Sequence, residues 1–240
     1  MSFKRFDAED FVVSSDSITS TLWSTDSPTL TEFYTSSIQD VSSAGNFYLS
    51  IFQTASIDPN RLVQFDISYG DLKGSGSTDY NIAVPGKSPT TSVYGQYRAL
   101  VLEDENASFL FGTENNIYTS ENFWVLSIER ARYKESIFPG SLNLTLAGPG
   151  GSIQLTDNSR DTLVNSFIGS TRVIQIVSGS NGLAFNGDGY VPNSGSYGLL
   201  LPELGTILLN PAAISQSIGV EADRTSGISN GTNNAILYNS

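Results

Sequence analysis

Residues 122–148, NFWVLSIERARYKESIFPGSLNLTLAG, restrict the fold of this chain more than any other stretch. Phe123–Ile128 is a run of β-favouring side chains too short to be a buried helix. It stops in charge at Glu129. Pro139-Gly140 is turn chemistry: proline presets one backbone angle and glycine accepts conformations that other residues avoid. Asn143–Gly148 then reads as a second strand. An isolated strand pair is marginal in water, so the rest of the chain must supply a sheet around it. This stretch is expected at the centre of that sheet.

The other strands are visible. Phe47–Phe52 and Leu62–Tyr69 have strand composition, and Val63, Phe65, Ile67 and Tyr69 share one face of the second. Asp58-Pro59-Asn60 turns the chain between them. Further strand-like runs are Ser152–Leu155, Thr171–Val177, Gly198–Leu201 and Thr206–Leu209. The last two flank Pro202-Glu203-Leu204-Gly205 and read as a tight hairpin. Gly70–Ser92 and Gly179–Gly198 are long glycine-rich loops. Within the first, Gly74–Ser77 (GSGS) lacks the following helix that a phosphate cradle needs, and reads as loop. No repeat of 20–50 residues is visible, which counts against a propeller or β-helix.

Val93–Leu102 is the one helix candidate. Val93, Tyr97, Leu100 and Val101 fall on a single helical face, with Thr91 or Ser92 as cap. Gly95 weakens it by about 1 kcal/mol relative to alanine. Glu103-Asp104-Glu105-Asn106 offers the oxygen ligands that calcium takes but lacks the alternate spacing and glycine of a calcium loop, and reads as a solvated turn after this helix. The fold class expected is mainly β: a sandwich or irregular barrel with one short helix, long loops and an extended N-terminal arm.

That arm is residues 1–44. Its anchors, including Phe3, Phe6, Phe11 and Trp23, are spaced among Ser, Thr and Asp without a sustained period. It lies either along another protein's surface or folded onto its own domain. Residues 45–240 form the β-rich domain. The final Ala-Ile-Leu-Tyr-Asn-Ser resembles a strand just beginning, so the chain is expected to continue beyond Ser240.

Composition removes several classes of function. There is no cysteine and no histidine. Disulfides, thiolate nucleophiles and cysteine-held metals are out of reach, as is a Ser-His-Asp triad. No G-x-S-x-G elbow and no S-x-x-K motif occurs. No cofactor-binding or metal-binding pattern is found, and no catalytic residue is assigned. With 24 acidic against 12 basic residues the net charge is −12, which repels phosphate backbones and anionic lipid. Neither nucleic acid nor membrane is expected as partner. No apolar run of about 18 residues is present, and the first residues do not read as a signal peptide. The charged fraction is only 15%, against about 25% in ordinary globular chains. A neutral polar surface of this kind suits packing against other copies or partners, and also an acidic β protein of secreted type.

The basic residues gather in one place. If the strand persists past Ile128, then Arg130, Arg132 and Lys134 share a face, with Ala131 and Tyr133 opposite. Such a row is either an electrostatic docking surface for assembly or a solvated edge whose charges block unwanted pairing. Carboxylates are numerous enough to offer a glycosidase pair, but no spacing selects one.

Four phrases carry a family resemblance: FKRFDAEDFVVSSDSITSTLW, SVYGQYRALVLE, SIERARYKESIFPGSLNLTLAG and YGLLLPELGTILLNP. In this order they resemble virion structural proteins of contractile-tailed, T4-like phages of cyanobacteria, over most of the chain. The resemblance implies a non-enzymatic building block of the virion in the tail, baseplate or neck. Its partners would be other virion proteins and copies of itself, met through the arm and the cationic row. Family members continue past the position of Ser240 with further β-like sequence. A glycan-binding or glycan-cleaving host-attachment module, or a capsid decoration protein, is the alternative.

Overall fold

The computed structural model describes residues 34–35, 48–55, 57–77, 88–113, 115–133, 135–161, 166–228 and 231–240. Phe3, Phe6, Phe11, Trp23 and Lys134 lie outside them. In chain order the strands are β1 (Tyr34–Thr35), β2 (Tyr48–Phe52), β3 (Val63–Asp71), β4 (Phe109–Thr113), β5 (Asn116–Ser120), β6 (Asn122–Ile128) and β7 (Asn143–Gly148). They continue with β8 (Gly151–Asp157), β9 (Ser166–Ile168), β10 (Thr171–Ser180), β11 (Leu183–Ala184), β12 (Gly198–Leu201) and β13 (Thr206–Leu209). The helices are α1 (Pro89–Tyr97), α2 (Pro211–Ile218) and α3 (Thr232–Tyr238).

The protein is mainly β, as the sequence implies. One antiparallel sheet runs in the order β1-β2-β3-β6-β13-β12-β10-β8-β7, with β9 and β11 added on β10. Hairpin β4–β5 forms a second, two-stranded sheet. The strands expected in 122–148 both form, but they are not neighbours. β6 sits between β3 and β13, and β7 lies at the far edge with only β8 beside it.

Strand alternation splits the core into two layers. Ile67 and Tyr69 of β3, Trp124 and Leu126 of β6, and Ile207 and Leu209 of β13 share one face, covered by Ala213, Ile214 and Ile218 of α2 and Leu237 of α3. On the other face Phe123, Val125, Val173, Leu199, Leu201 and Leu208 meet Val93 and Tyr94 of α1 and Phe109 and Phe111 of β4. β6 is therefore apolar on both sides, which is why its sequence shows no alternation. Each fully buried side chain of this size contributes roughly 1.5–3 kcal/mol. The Trp124 indole N–H, at the middle of this packing, donates to the Asn233 carbonyl at 2.9 Å.

The helix candidate is real, with a shifted start. Ser88 is its N-cap position and Pro89 its first residue, rather than Thr91 or Ser92. The Ser88 hydroxyl turns away to donate to the Gly74 carbonyl at 2.9 Å, and Thr90 donates to the Ser75 carbonyl. The GSGS loop thus lies against the start of α1, held by its hydroxyls. Past Tyr97 the helix widens into a π turn, Arg98–Leu102. That wider turn keeps Val101 buried and swings Leu100 out to 47% exposure, away from the face expected of it. The helix seats closely on β3 because Gly70 has no side chain: a Cβ there would stand 3.0 Å from the Tyr94 amide nitrogen.

Among the described residues three α-helices form where one was expected. α2 carries complete end signals: Asn210 Oδ1 accepts from the Ala212 amide, Pro211 leads, and Gly219 closes at φ 71°. The C-terminal run read as a strand is instead helix α3, whose Leu237 joins the core. Hairpin β4–β5 has no counterpart in the sequence reading. The acidic run after α1 is a turn, with Asp104 Oδ1 accepting from the Asn106 amide.

Candidate assembly surface

The cationic row does not form. β6 ends at Ile128 and the chain enters a 3-10 turn, Arg130–Arg132, closed by the Arg132 amide on the Glu129 carbonyl at 2.8 Å. Arg130 and Arg132 therefore do not line up on a strand face, and Lys134 lies outside the described residues. Arg130 bends back to donate to the Tyr133 carbonyl at 2.7 Å, its guanidinium 4.7 Å from that ring's centre. Arg132 is only 5% exposed. The cause is the β12–β13 turn beneath. Gly205 there, at φ 61°, leaves space that Tyr133 fills, and its carbonyl accepts from the Ile128 amide. Of the two cations described, one is spent on its own turn and the other is buried.

The two buried carboxylates of the sheet hold the fold together. Asp157, 0% exposed, accepts from the amides of Gly140, Leu142 and Ser159. It thereby fastens the Pro139-Gly140 turn to the end of β8. Asp71, also 0% exposed, accepts from the amides of Lys73 and Ser75 and from Arg224 Nε at 2.8 Å. Arg224 reaches on to Glu121, which also pairs with Lys73 at 2.7 Å. These contacts hold the Glu121 carboxyl below its usual range, Lys73 contributing most.

Asp66 differs. It stands in a polar row across four adjacent strands, Ser50, Asp66, Ser127 and Thr206, each opposite the next in register. Burial raises its pKa, a hydrogen bond from Ser50 opposes the rise, and the charge on Glu129 adds to it. Tyr97 from α1 joins the row by hydrogen bonds with Ser127 and Thr206, and burial pushes its phenol up. Ser50 bonds to the Asp66 carboxyl, and Ser127 and Thr206 bond to Tyr97, but Asp66 Oδ1 is buried without a hydrogen-bond partner, and the carboxyl is biased toward its neutral form. Among the described residues no cluster of three or more carboxylate side chains is placed to hold a metal ion. No described helix is long and apolar enough to cross a membrane.

The remaining feature is the outer edge of β7. The two-residue turn Pro149-Gly150 fixes its register with β8, from Gly148 opposite Gly151 to Asn143 opposite Thr156. In that register Leu144 and Leu146 bond to β8, while the backbone groups of Asn143, Thr145 and Ala147 point outward. The Ala147 amide donates to the Ser240 carbonyl. Among the described residues no backbone partner meets the outward groups of Asn143 and Thr145. The strand, NLTLAG, contains no charge, no proline and no bulge. Those are the devices by which β proteins protect an edge from further pairing. Asn143 is held in place by its side chain, whose Oδ1 accepts from the Asn181 amide at 2.9 Å. The sequence shows β7 as a strand and shows it uncharged. Its place at the sheet edge depends on long-range pairing and was not visible there.

Fold and site together define an open-edged antiparallel β protein with helices and a hairpin over its two faces. No family model, no curated protein and no solved structure matches this chain.

Proposed function

We propose that this chain is a non-enzymatic virion structural protein of a contractile-tailed, T4-like phage of cyanobacteria, serving in the tail, baseplate or neck. It works by protein–protein contacts with other virion proteins and with copies of itself. The observation that carries the reading is the unguarded edge of β7, a surface whose chemistry suits strand pairing and little else. The resemblance of four phrases spread along the chain supplies the kind of particle. The arm, residues 1–44, is assigned to intersubunit contact. The cationic row is dropped from that role, since Arg130 and Arg132 are engaged within the chain.

The test is quantitative mass spectrometry of purified phage particles, with immunogold labelling to place the chain. Multiple copies at a fixed position on the tail, baseplate or neck are expected. Absence from washed particles, or presence only on the head, overturns the proposal.

A further inference from the structure

We propose that Asn186-Gly187 is a site of spontaneous deamidation, and that the fold withholds the same reaction from the nearby pair Asn181-Gly182. The inference stands apart from the assembly reading above.

The chemistry makes three demands on an asparagine-glycine pair. The glycine nitrogen must be free to lose its proton and attack the asparagine side-chain carbon. The carboxamide must be free to swing onto that nitrogen, and water must reach both. Glycine favours the closure because, with no Cβ, it takes up conformations closed to other residues and leaves its nitrogen unshielded. In the reaction the Gly187 nitrogen bonds to Asn186 Cγ and the Cγ–Nδ2 bond breaks. The proton given up by the attacking nitrogen returns through water to the leaving one, which departs as ammonia. Water then opens the cyclic succinimide at one of its two carbonyls. Opening on one side gives aspartate, and on the other isoaspartate, in which the main chain runs through the side-chain carboxyl.

Asn186-Gly187 meets all three demands. It lies between Phe185 and Asp188, and all four residues are exposed. Among the described residues, neither the Asn186 carboxamide nor the Gly187 amide has a hydrogen-bond partner. A Cβ added at Gly187 would meet no atom within 4 Å, so solvent has an open approach to the pair. The turn is held instead by the Asn186 carbonyl, which accepts from the Gly189 amide at 2.9 Å.

Asn181-Gly182 fails the first two demands. It is the hairpin turn between β10 and β11, with φ 51° at Asn181 and 82° at Gly182. Asn181 Oδ1 accepts from Asn143 Nδ2 at 2.9 Å, which holds the carboxamide. Gly182 is buried and its amide donates to Thr156 Oγ1 at 2.8 Å, which holds the nitrogen. Asp188-Gly189, open in principle to the same ring closure, is blocked in the same way: Gly189 is buried and its amide is spent on the Asn186 carbonyl. The third asparagine-glycine pair, Asn230-Gly231, includes a residue outside the described ones. Reactive and protected pairs thus share a sequence and differ in where their hydrogen bonds go. Deamidation sets a second carboxylate beside Asp188, next to the exposed Phe185, and takes the net charge from −12 to −13.

The experiment incubates the folded full-length chain in mildly alkaline buffer and maps its peptides by mass spectrometry, with electron-transfer fragmentation to separate aspartate from isoaspartate. A parallel sample is held unfolded in urea. In the folded chain Asn186 is expected to convert to a mixture of both products, with Asn181 still intact when half of Asn186 has reacted. In urea both should convert at similar rates. Asn143→Ala/Thr156→Val, which releases the carboxamide and the nitrogen of the protected pair, should let Asn181 react while the chain stays folded by circular dichroism.

Folded wild type in which Asn181 converts as fast as Asn186 overturns the proposal. So does folded wild type in which Asn186 stays intact while the urea sample converts there. A folded double variant that leaves Asn181 intact overturns the account of its protection. If that variant does not fold, the wild-type comparison of folded and unfolded chains decides the matter alone.

Discussion

β6 and β7 come from one continuous stretch of sequence and meet opposite fates. β6 has a strand on each side and a packed layer on each face, with Phe123, Trp124 and Val125 all at 0% exposure. β7 has one neighbouring strand, one packed face and three residues with exposed side chains. The difference separates a strand enclosed by the core from one that still presents unpaired backbone groups among the described residues. A strand closed on four sides can contribute only to the fold. A strand closed on two retains hydrogen-bonding groups that water alone satisfies.

The comparison breaks first at Trp124. Trp124→Ala removes the largest side chain of β6 and the bond to Asn233, and should cost about 3–5 kcal/mol in chemical denaturation. A loss under ~1 kcal/mol would mean that β6 is not the centre of the core. On β7 the inward residue should still matter: Leu146→Ala, in the same core layer, is expected to cost about 2–3 kcal/mol.

Beside β6, Asp66 sharpens the contrast by its sign. Its folded pKa is raised above the ordinary 3.8, so the folded protein holds that proton more tightly than the unfolded chain does. The cost of ionising it is absent below about pH 3.8 and complete above the raised value. Asp66→Asn should therefore melt higher than wild type at pH 7, with the gap closing as pH falls toward 3.8. A gap that is constant with pH would remove the buried-carboxyl explanation. The smallest effect belongs to the outward residue of β7. Thr145→Ala should change the monomer's stability by less than ~0.5 kcal/mol, measured at a concentration too low for association.

How much of this was legible follows the range of the interactions. Strands set by local composition were visible: Leu62–Tyr69 and Thr171–Val177 form as Val63–Asp71 and Thr171–Ser180, running two and three residues further into stretches that read as loop, and the Leu201–Thr206 turn was visible too. α2 was legible in principle, because Asn210, Pro211 and Gly219 are local end signals, but the reading passed over them. β4–β5 hid because Phe109, Leu110 and Phe111 are all apolar, so alternation is lost although only Leu110 of the three is exposed. Ala235–Tyr238 has strand-like composition and became a helix through packing, with Leu237 buried in the layer below the sheet. The site was least legible. Whether Arg130 faces a neighbour or its own Tyr133 depends on a turn at Gly205, far along the chain. The edge position of β7 depends on every other pairing in the sheet.

The strand order has a consequence for synthesis. β6 pairs on one side with β3, already made, and on the other with β13, which leaves the ribosome roughly 80 residues later. At about 5–20 residues per second that interval lasts on the order of 4–16 s. For that time the most apolar strand of the protein carries a bare edge, and α2 and α3, which later cover one of its faces, do not yet exist. Ribosome-arrested chains ending before Thr206 should bind chaperones and aggregate, and those ending beyond Leu209 should do so far less. A protein whose finished form leaves the outer edge of β7 largely unpaired passes through its own synthesis with a second bare edge, and the 14 residues from Gly198 to Pro211 are what close it.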